Sequence, residues 1–248
     1  MTLQEFFTAN PKAAIAFSGG VDSAYLLYAA KKYGGSIRAY YVSSEFQPQF
    51  ELEDARRLAR ELDADMRILP LSVLAVPRVS ENPPSRCYYC KQAIFKEIAA
   101  AAAADGFSLI LDGTNASDDA GDRPGMRALR ELSVRSPLRE CGLTKPEIRR
   151  LSKEAGLFTW DKPAYACLAT RIPAGEAITP EKLAATEQAE AFLASLGFTD
   201  FRVRSQNGHG RIELPASQFS ALLNHREAIV ENLKPYYKTI SLNLEARK

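Results

Sequence analysis

Residues 13–23 read Ala13-Ala14-Ile15-Ala16-Phe17-Ser18-Gly19-Gly20-Val21-Asp22-Ser23. The first five are apolar, and from Val21 to Ala30 the apolar residues recur at helical spacing. The stretch therefore predicts a strand, a tight turn and a helix, in that order. Adjacent glycines allow positive φ and a close backbone approach to a ligand. Ser18 and Ser23 place hydroxyls at the two ends of the turn. The first N–H groups of the helix have no intrahelical partner, and the helix dipole favours negative charge there. Together these features describe a cradle for phosphate or pyrophosphate. It differs from the lysine-containing phosphate loop of kinases and GTPases, because no lysine follows the glycines. Asp22 has two readings: a Mg2+ ligand, directly or through water, or a helix cap.

The 248-residue chain is long enough for one large domain or two modest ones. Its apolar content of 46% and charged content of 25% suit a soluble globular protein. A net charge of +2 argues against a strongly basic nucleic-acid binder. No apolar run reaches the length of a membrane span, and Met1 to Pro11 lacks the apolar core of a signal peptide. Four cysteines in such a chain point to metal, redox or catalytic chemistry before disulfides. The expectation is a cytoplasmic protein with no membrane association and no nucleic-acid partner.

Beyond the loop helix, Ser36 to Val42 reads as a strand, Glu51 to Leu62 as an amphipathic helix and Met66 to Leu71 as a third strand. This β-α-β-α-β order implies a parallel sheet with right-handed crossovers. Ligands of such sheets sit beyond the carboxyl ends of the strands, where Ser18 lies. A proline-marked segment, Val76 to Arg86, leads to a helix from about Tyr88 to Ala104. Phe107 to Leu111 reads as a strand ending in Asp112-Gly113-Thr114-Asn115, again at the carboxyl edge. Asp118, Asp119 and Asp122 follow, then a short helix from Gly125 to Leu132 and a strand around Val134. Thr144-Lys145-Pro146-Glu147 is a capping box that starts a helix ending near Gly156. From residue 172 the character changes to a small unit: helix Thr179 to Leu196, hairpin strands Phe201 to Gln206 and Arg211 to Leu214, helix Pro215 to Leu233 and strand Tyr237 to Leu244. The fold class expected is α/β, a parallel-sheet domain over 1–171 followed by a small α+β domain over 172–248.

Cys87 and Cys90 form a CxxC at a helix start, where the dipole and the neighbouring Arg86 and Lys91 favour thiolate. A redox disulfide, a zinc site completed by Cys141 and Cys167, and an iron–sulfur site on three thiolates all use this pattern. A buried, unreactive thiol is the plain reading of Cys141. Cys167 lies in a loop with Arg171 four residues on, a setting for a reactive sulfur.

The hexapeptide SGGVDS resembles the loop of PP-loop ATP pyrophosphatases, which split ATP into AMP and pyrophosphate while adenylating a substrate. With RCYYCK (86–91), DGTNASDDAGDRPGMRALRELSVRSPLRE (112–140), CLATRIP (167–173) and FRVRS (201–205), the likeness narrows to the lactate-racemase-maturation sulfur transferases, the LarE family. That resemblance implies an enzyme that activates a carboxylate of pyridinium-3,5-biscarboxylic acid mononucleotide with ATP and inserts sulfur, for nickel-pincer nucleotide cofactor biosynthesis. One version of the family gives up the sulfur of a single cysteine, at the position of Cys167, leaving dehydroalanine. The other holds a 4Fe-4S cluster with extra sulfide on three cysteines, at the positions of Cys87, Cys90 and Cys167. All three are present, which favours the cluster version.

By the same resemblance, Cys167, Asp22 and Arg171 are the catalytic candidates. Ser18, Gly19, Gly20, Val21, Asp22, Ser23, Val42, Asp112, Thr114 and Asn115 would bind ATP and Mg2+. Arg202 and Arg204 alternate along one strand and so share a face suited to a phosphate, although a solvated face has the same spacing. The likeness adds Glu190 and Glu213 as substrate-binding candidates and implies a homo-oligomer. His209 reads as a surface residue. A tRNA-thiolating enzyme with the same loop would need a basic RNA surface. An amide-forming synthetase leaves the three cysteines without a role. A non-catalytic ATP-binding or nickel-handling module is the remaining alternative.

Overall fold

The computed structural model describes residues 1–118 and 124–247, so Asp119 and Asp122 of the Asp112 loop lie outside the described residues. The chain forms two compact units, residues 1–76 with 85–162, and residues 77–84 with 163–248. The sequence placed the change of unit at 171/172; in the structure the loop carrying Cys167 and Arg171 goes with the second unit, as does the detour 77–84.

The first unit opens with α1 (Leu3–Ala9), closed by a capping box between Thr2 and Glu5. Strand β1 (Lys12–Ala16) runs into α2 (Val21–Tyr33), followed by β2 (Ser36–Ser43), α3 (Gln49–Glu61) and β3 (Asp65–Pro70). The short α4 (Pro77–Ser80) belongs to the second unit, and α5 (Arg86–Ala104) returns to the first. The strand expected over 107–111 shrinks to β4 (Ile110–Leu111). The expected strand at Val134 is a single bridge, Arg135 against Leu111, after α6 (Pro124–Glu131). Helices α7 (Pro137–Glu140) and α8 (Lys145–Glu154) complete the unit, the latter held by the Thr144–Glu147 capping box.

The sheet order is β3-β2-β1-β4, and every pairing is parallel. Because successive strand residues face opposite sides, β1 and β2 feed two separate cores. Ala13, Ile15 and Tyr41 pack with Leu26, Leu27, Leu58 and Ile148 on the side of α2, α3 and α8. Ala14, Tyr40 and Val42 pack with Ile98, Ala102 and Phe107 on the side of α5. Leu26 and Leu27 are wholly buried, each worth about 1.5–3 kcal/mol. Helices on both faces of a parallel sheet put the strand carboxyl ends, and with them Ser18 and Asp112, on one edge.

The second unit contains α9 (Pro180–Ser195), β5 (Arg202–Gln206), β6 (His209–Glu213), α10 (Phe219–Asn224), α11 (Arg226–Leu233) and β7 (Thr239–Leu242). β5 and β6 are antiparallel, joined by Asn207 and Gly208, both at positive φ as a tight hairpin turn requires. β7 pairs with β6 in parallel. The single helix expected over 215–233 is broken: α10 ends at Asn224, and His225 both caps it and precedes α11. Val203, Ile212, Leu193, Leu233 and Tyr237 form the core. The architecture is thus α/β with a small additional sheet unit, and among the described residues no helix is long and apolar enough to cross a membrane.

Candidate active site

In the first unit the turn from β1 to α2 has the conformation that its residues dictate. Gly19 sits at φ +73, where an added Cβ would also stand 3.3 Å from Ala55 Cβ and from the Glu51 carbonyl oxygen. Gly20 is the N-cap of α2 in extended conformation, and no side chain caps the helix there. Ser18 and Ser23 are cross-linked: their hydroxyls are 3.1 Å apart, and the Ser18 N–H donates to Ser23 Oγ at 3.3 Å. Ser23 Oγ also donates to the Gly20 carbonyl at 3.1 Å. The loop is therefore preorganised, with its helix N-terminus left for an anion.

The Asp112 loop lies directly against this turn. A Cβ on Gly113 would stand 3.0 Å from the Ser23 nitrogen, so any larger residue would push the two backbones apart. Asp112 is buried and accepts from Ser136 Oγ at 2.6 Å and from Thr114 Oγ1 at 2.5 Å. Asn115, also buried, donates from Nδ2 to Asp22 Oδ1 at 3.3 Å, while its Oδ1 accepts from the Ser117 N–H at 2.8 Å. The second Asp22 oxygen is 2.5 Å from Lys145 Nζ.

Beside the loop opens a cavity of about 330 Å³. Ser18, Gly20, Asp22, Ser23, Val42, Asp112 and Thr114 line it, so it gathers most of the residues expected to bind nucleotide; Asn115 reaches it through Asp22. Other lining residues were not legible as such in the sequence, Gln47, Lys91, Tyr40 and Tyr41 among them. Tyr41 is 1% exposed with a hydroxyl that finds no hydrogen-bond partner, and burial pushes its pKa up. Lys91 comes from α5, one helical turn after Cys87, so the CxxC helix forms a wall of the cavity. Lys145 was also missed, although its capping box was legible.

Magnesium would find hard oxygen donors here, the Asp22 carboxylate first among them, so the residues fit a nucleotide-bound Mg2+. The thiols fit an iron–sulfur cluster in donor type. Cys87 is exposed and Cys90 buried at the start of α5, Cys167 is half-buried in the second unit, and none of the four cysteines is in a disulfide. Among the described residues, however, no group of three His, Cys, Asp or Glu side chains stands together as a metal site. The thiol of Cys141 is pushed up by burial.

In the second unit, Arg171 is 1% exposed and fully engaged. It donates to Glu190 Oε1 and Oε2 at 2.8 and 2.9 Å, to the Ala166 carbonyl at 2.6 Å and to Thr170 Oγ1 at 2.9 Å. Burial works against its charge, yet the bonds and charge of Glu190 hold its pKa above the ordinary value. Glu190 also accepts from Tyr165 Oη at 2.6 Å and the Val203 N–H at 2.9 Å. These two residues hold the Cys167 loop on α9. Arg204 pairs with Glu213 at 2.9 Å and donates to the Thr170 carbonyl at 2.7 Å. Glu213 takes a second guanidinium, from Arg211, at 2.9 Å. Arg202 donates to the Ala164 carbonyl at 2.5 Å and lines an open cavity with Arg247. Its pKa is lowered by burial, then by the charges of Arg171 and Arg247. His209 is exposed at the start of β6.

A family model described as queuosine biosynthesis protein QueC matches residues 12–81. An uncharacterized protein of Synechocystis is 39% identical over 218 residues, 87% of this chain and 81% of that one. The pyridinium-3,5-bisthiocarboxylic acid mononucleotide synthase of Lactiplantibacillus plantarum is 33% identical over 236 residues, 94% of this chain and 86% of the synthase. An uncharacterized protein of Methanocaldococcus jannaschii is 29% identical over 237 residues, covering 95% and 90%.

Proposed function

Since this chain belongs to the LarE family of PP-loop proteins, we propose that it is an ATP-dependent sulfur transferase acting on pyridinium-3,5-biscarboxylic acid mononucleotide. The observation that carries this reading is the cavity that joins the preorganised Ser18–Ser23 turn to the Asp112 loop and the CxxC helix.

A carboxylate resists substitution by sulfur because its leaving group is too poor. Attack of a substrate carboxylate oxygen on the α-phosphorus of ATP forms the acyl-adenylate and releases pyrophosphate. The N–H groups at the start of α2 and the Ser18 and Ser23 hydroxyls then receive the charge that develops on the departing group. Asp22 would hold Mg2+, which would supply positive charge against the phosphates. In the second step sulfur bonds to the acyl carbon and AMP leaves with the carbon–oxygen bond pair. This sulfur is sulfide carried by a cluster that Cys167 helps to hold; were it the Cys167 sulfur itself, the Cβ–Sγ bond would break and leave dehydroalanine. Cys87, Cys90 and Cys167 are the thiols that would hold a 4Fe-4S cluster, whose chemistry is to supply sulfide. Arg202 and Arg204 are the residues we assign to the substrate phosphate, which would have to compete with Glu213 for Arg204.

Incubation with ATP, Mg2+ and the mononucleotide tests the reaction: AMP and a product carrying sulfur in place of a carboxylate oxygen are expected. ATP left intact in the presence of the mononucleotide overturns it. Anaerobic reconstitution tests the cluster: about four irons per chain, lost in Cys87→Ala, are expected. A colourless protein holding one zinc overturns the cluster while leaving the transfer reaction standing.

A further inference from the structure

The start of α5 carries two of the thiols and has no side-chain cap. Ser85, its N-cap, makes no side-chain bond to the helix, and no acidic residue stands in the first turn to offset the dipole. The first N–H groups of a helix have no intrahelical partner, so an uncapped turn frays unless something outside the helix holds it. Cys87 and Cys90 are three residues apart and share one face of α5. Tyr88, Lys91 and Gln92 share the neighbouring face.

α6 packs against that neighbouring face. Tyr88 Oη donates to Glu131 Oε2 at 2.6 Å, and Gln92 Nε2 donates to the same oxygen at 2.8 Å. The Arg127 guanidinium stands 4.2 Å from the centre of the Tyr88 ring and 3.6 Å from Glu131 Oε1. Near the start of α6 the approach is close, since a Cβ on Gly125 would stand 3.3 Å from Cδ and Cε of Lys91. Tyr88, which follows Cys87 directly, is thus gripped by both its ring and its hydroxyl.

We propose that Tyr88 is a positioning residue for the two thiols: it hooks the uncapped turn of α5 to Glu131 of α6, and so holds Cys87 and Cys90 on one helical face, Cys87 open to solvent and Cys90 closed from it. Two thiols held in advance lose less conformational entropy on taking a shared soft metal centre than two thiols on a frayed turn. The hook acts on the thiols themselves; its value for holding iron rests on the cluster reading proposed above.

Iodoacetamide labelling of the iron-free full chain, read by peptide mass spectrometry, tests it in the wild type, Tyr88→Phe, Glu131→Ala and Glu131→Gln. Gln92 and Arg127 still meet Glu131 in Tyr88→Phe, so that variant removes the hook without undocking α6. In Tyr88→Phe and Glu131→Ala, Cys90 should label about fivefold faster, the scale of one net hydrogen bond, while Cys141 keeps its rate. Glu131→Gln retains an acceptor oxygen and should stay within about twofold of the wild type. After anaerobic reconstitution, the two fast-labelling variants should also give up iron to a chelator several-fold faster than the wild type. Unchanged Cys90 labelling in both overturns the proposal, and so does equal acceleration of Cys90 and Cys141, which marks general loosening. Faster Cys90 labelling with unchanged iron release overturns the role toward the metal. A wild type that takes up no iron overturns the cluster reading itself, a separate result that leaves the labelling to decide the hook.

Discussion

The Arg171 guanidinium and the Glu190 carboxylate meet edge to edge, at 2.8 and 2.9 Å, with side chains 0% and 5% exposed. The same guanidinium holds the Ala166 carbonyl, one residue before Cys167. The pair fastens the sulfur-bearing loop to α9, so its first effect is on position.

Removing one partner strands a buried charge. Glu190→Ala should destabilise the second unit by about 3–5 kcal/mol, seen as a lower urea midpoint. Cys167 should then alkylate faster than in the wild type, because its loop has lost its tether. An unchanged Cys167 rate at a urea concentration where the variant is still folded would falsify the tether.

Gly113 is where the Asp112 loop touches the backbone of α2. Gly113→Ala puts a methyl 3.0 Å from the Ser23 nitrogen and 3.2 Å from its Cα, and backbone cannot give way as a side chain can. ATP affinity should fall by roughly tenfold or more, the effect of displacing the loop's donors, with a melting temperature lowered by only a few degrees. Isothermal titration alongside thermal melting separates the two effects.

Asp105 accepts from Tyr40 Oη at 2.8 Å, Arg67 at 3.0 Å and Arg38 at 2.9 Å. Hydrogen bonds from Tyr40 and Arg67 bring its pKa down from 3.8 to about 2. A carboxylate with a depressed folded pKa adds stability above its unfolded pKa and loses it as pH falls toward the folded one. The wild type should therefore lose stability between about pH 4 and pH 2, and Asp105→Asn should show a shallower fall over that window. Urea midpoints measured across the range give the comparison.

Cys141 is the cysteine that the proposed chemistry leaves out. Burial raises its thiol pKa, whereas Cys87 is exposed. With less thiolate and less access, Cys141 should label with iodoacetamide more slowly than Cys87, as read by peptide mass spectrometry. Cys141→Ser should keep the wild-type iron content and rate of AMP formation.

Local patterns made the first unit legible. The apolar run at 13–17 and the helical spacing from Val21 report a buried strand and its helix directly, and Thr144 and Glu147 mark α8 from sequence alone. The same pair, Thr2 with Glu5, marks the start of α1. Lys145 was illegible as a site residue because nothing local ties it to Asp22; only the packing of α8 on α2 does so. The strand at 107–111 was overread because apolar residues also serve to bury a loop: Phe107 packs with Tyr40 without joining the ladder. The break at His225 was missed because an apolar stripe does not reveal where a helix turns. Arg202 and Arg204 were correctly seen as strand neighbours, but spacing could not reveal that Glu213 holds Arg204.

The detour 77–84 bears on how the protein is made. Asn82, at φ 55, donates from Nδ2 to the carbonyls of Ile172, Pro173 and Glu176, up to 94 residues later in the chain. As the polypeptide leaves the ribosome, this asparagine emerges long before the backbone it will bind. The second unit therefore cannot be completed until synthesis has passed residue 176, and no single cut of the gene yields it whole. A fragment beginning at Pro163 would leave those carbonyls facing solvent in the very loop that carries Cys167.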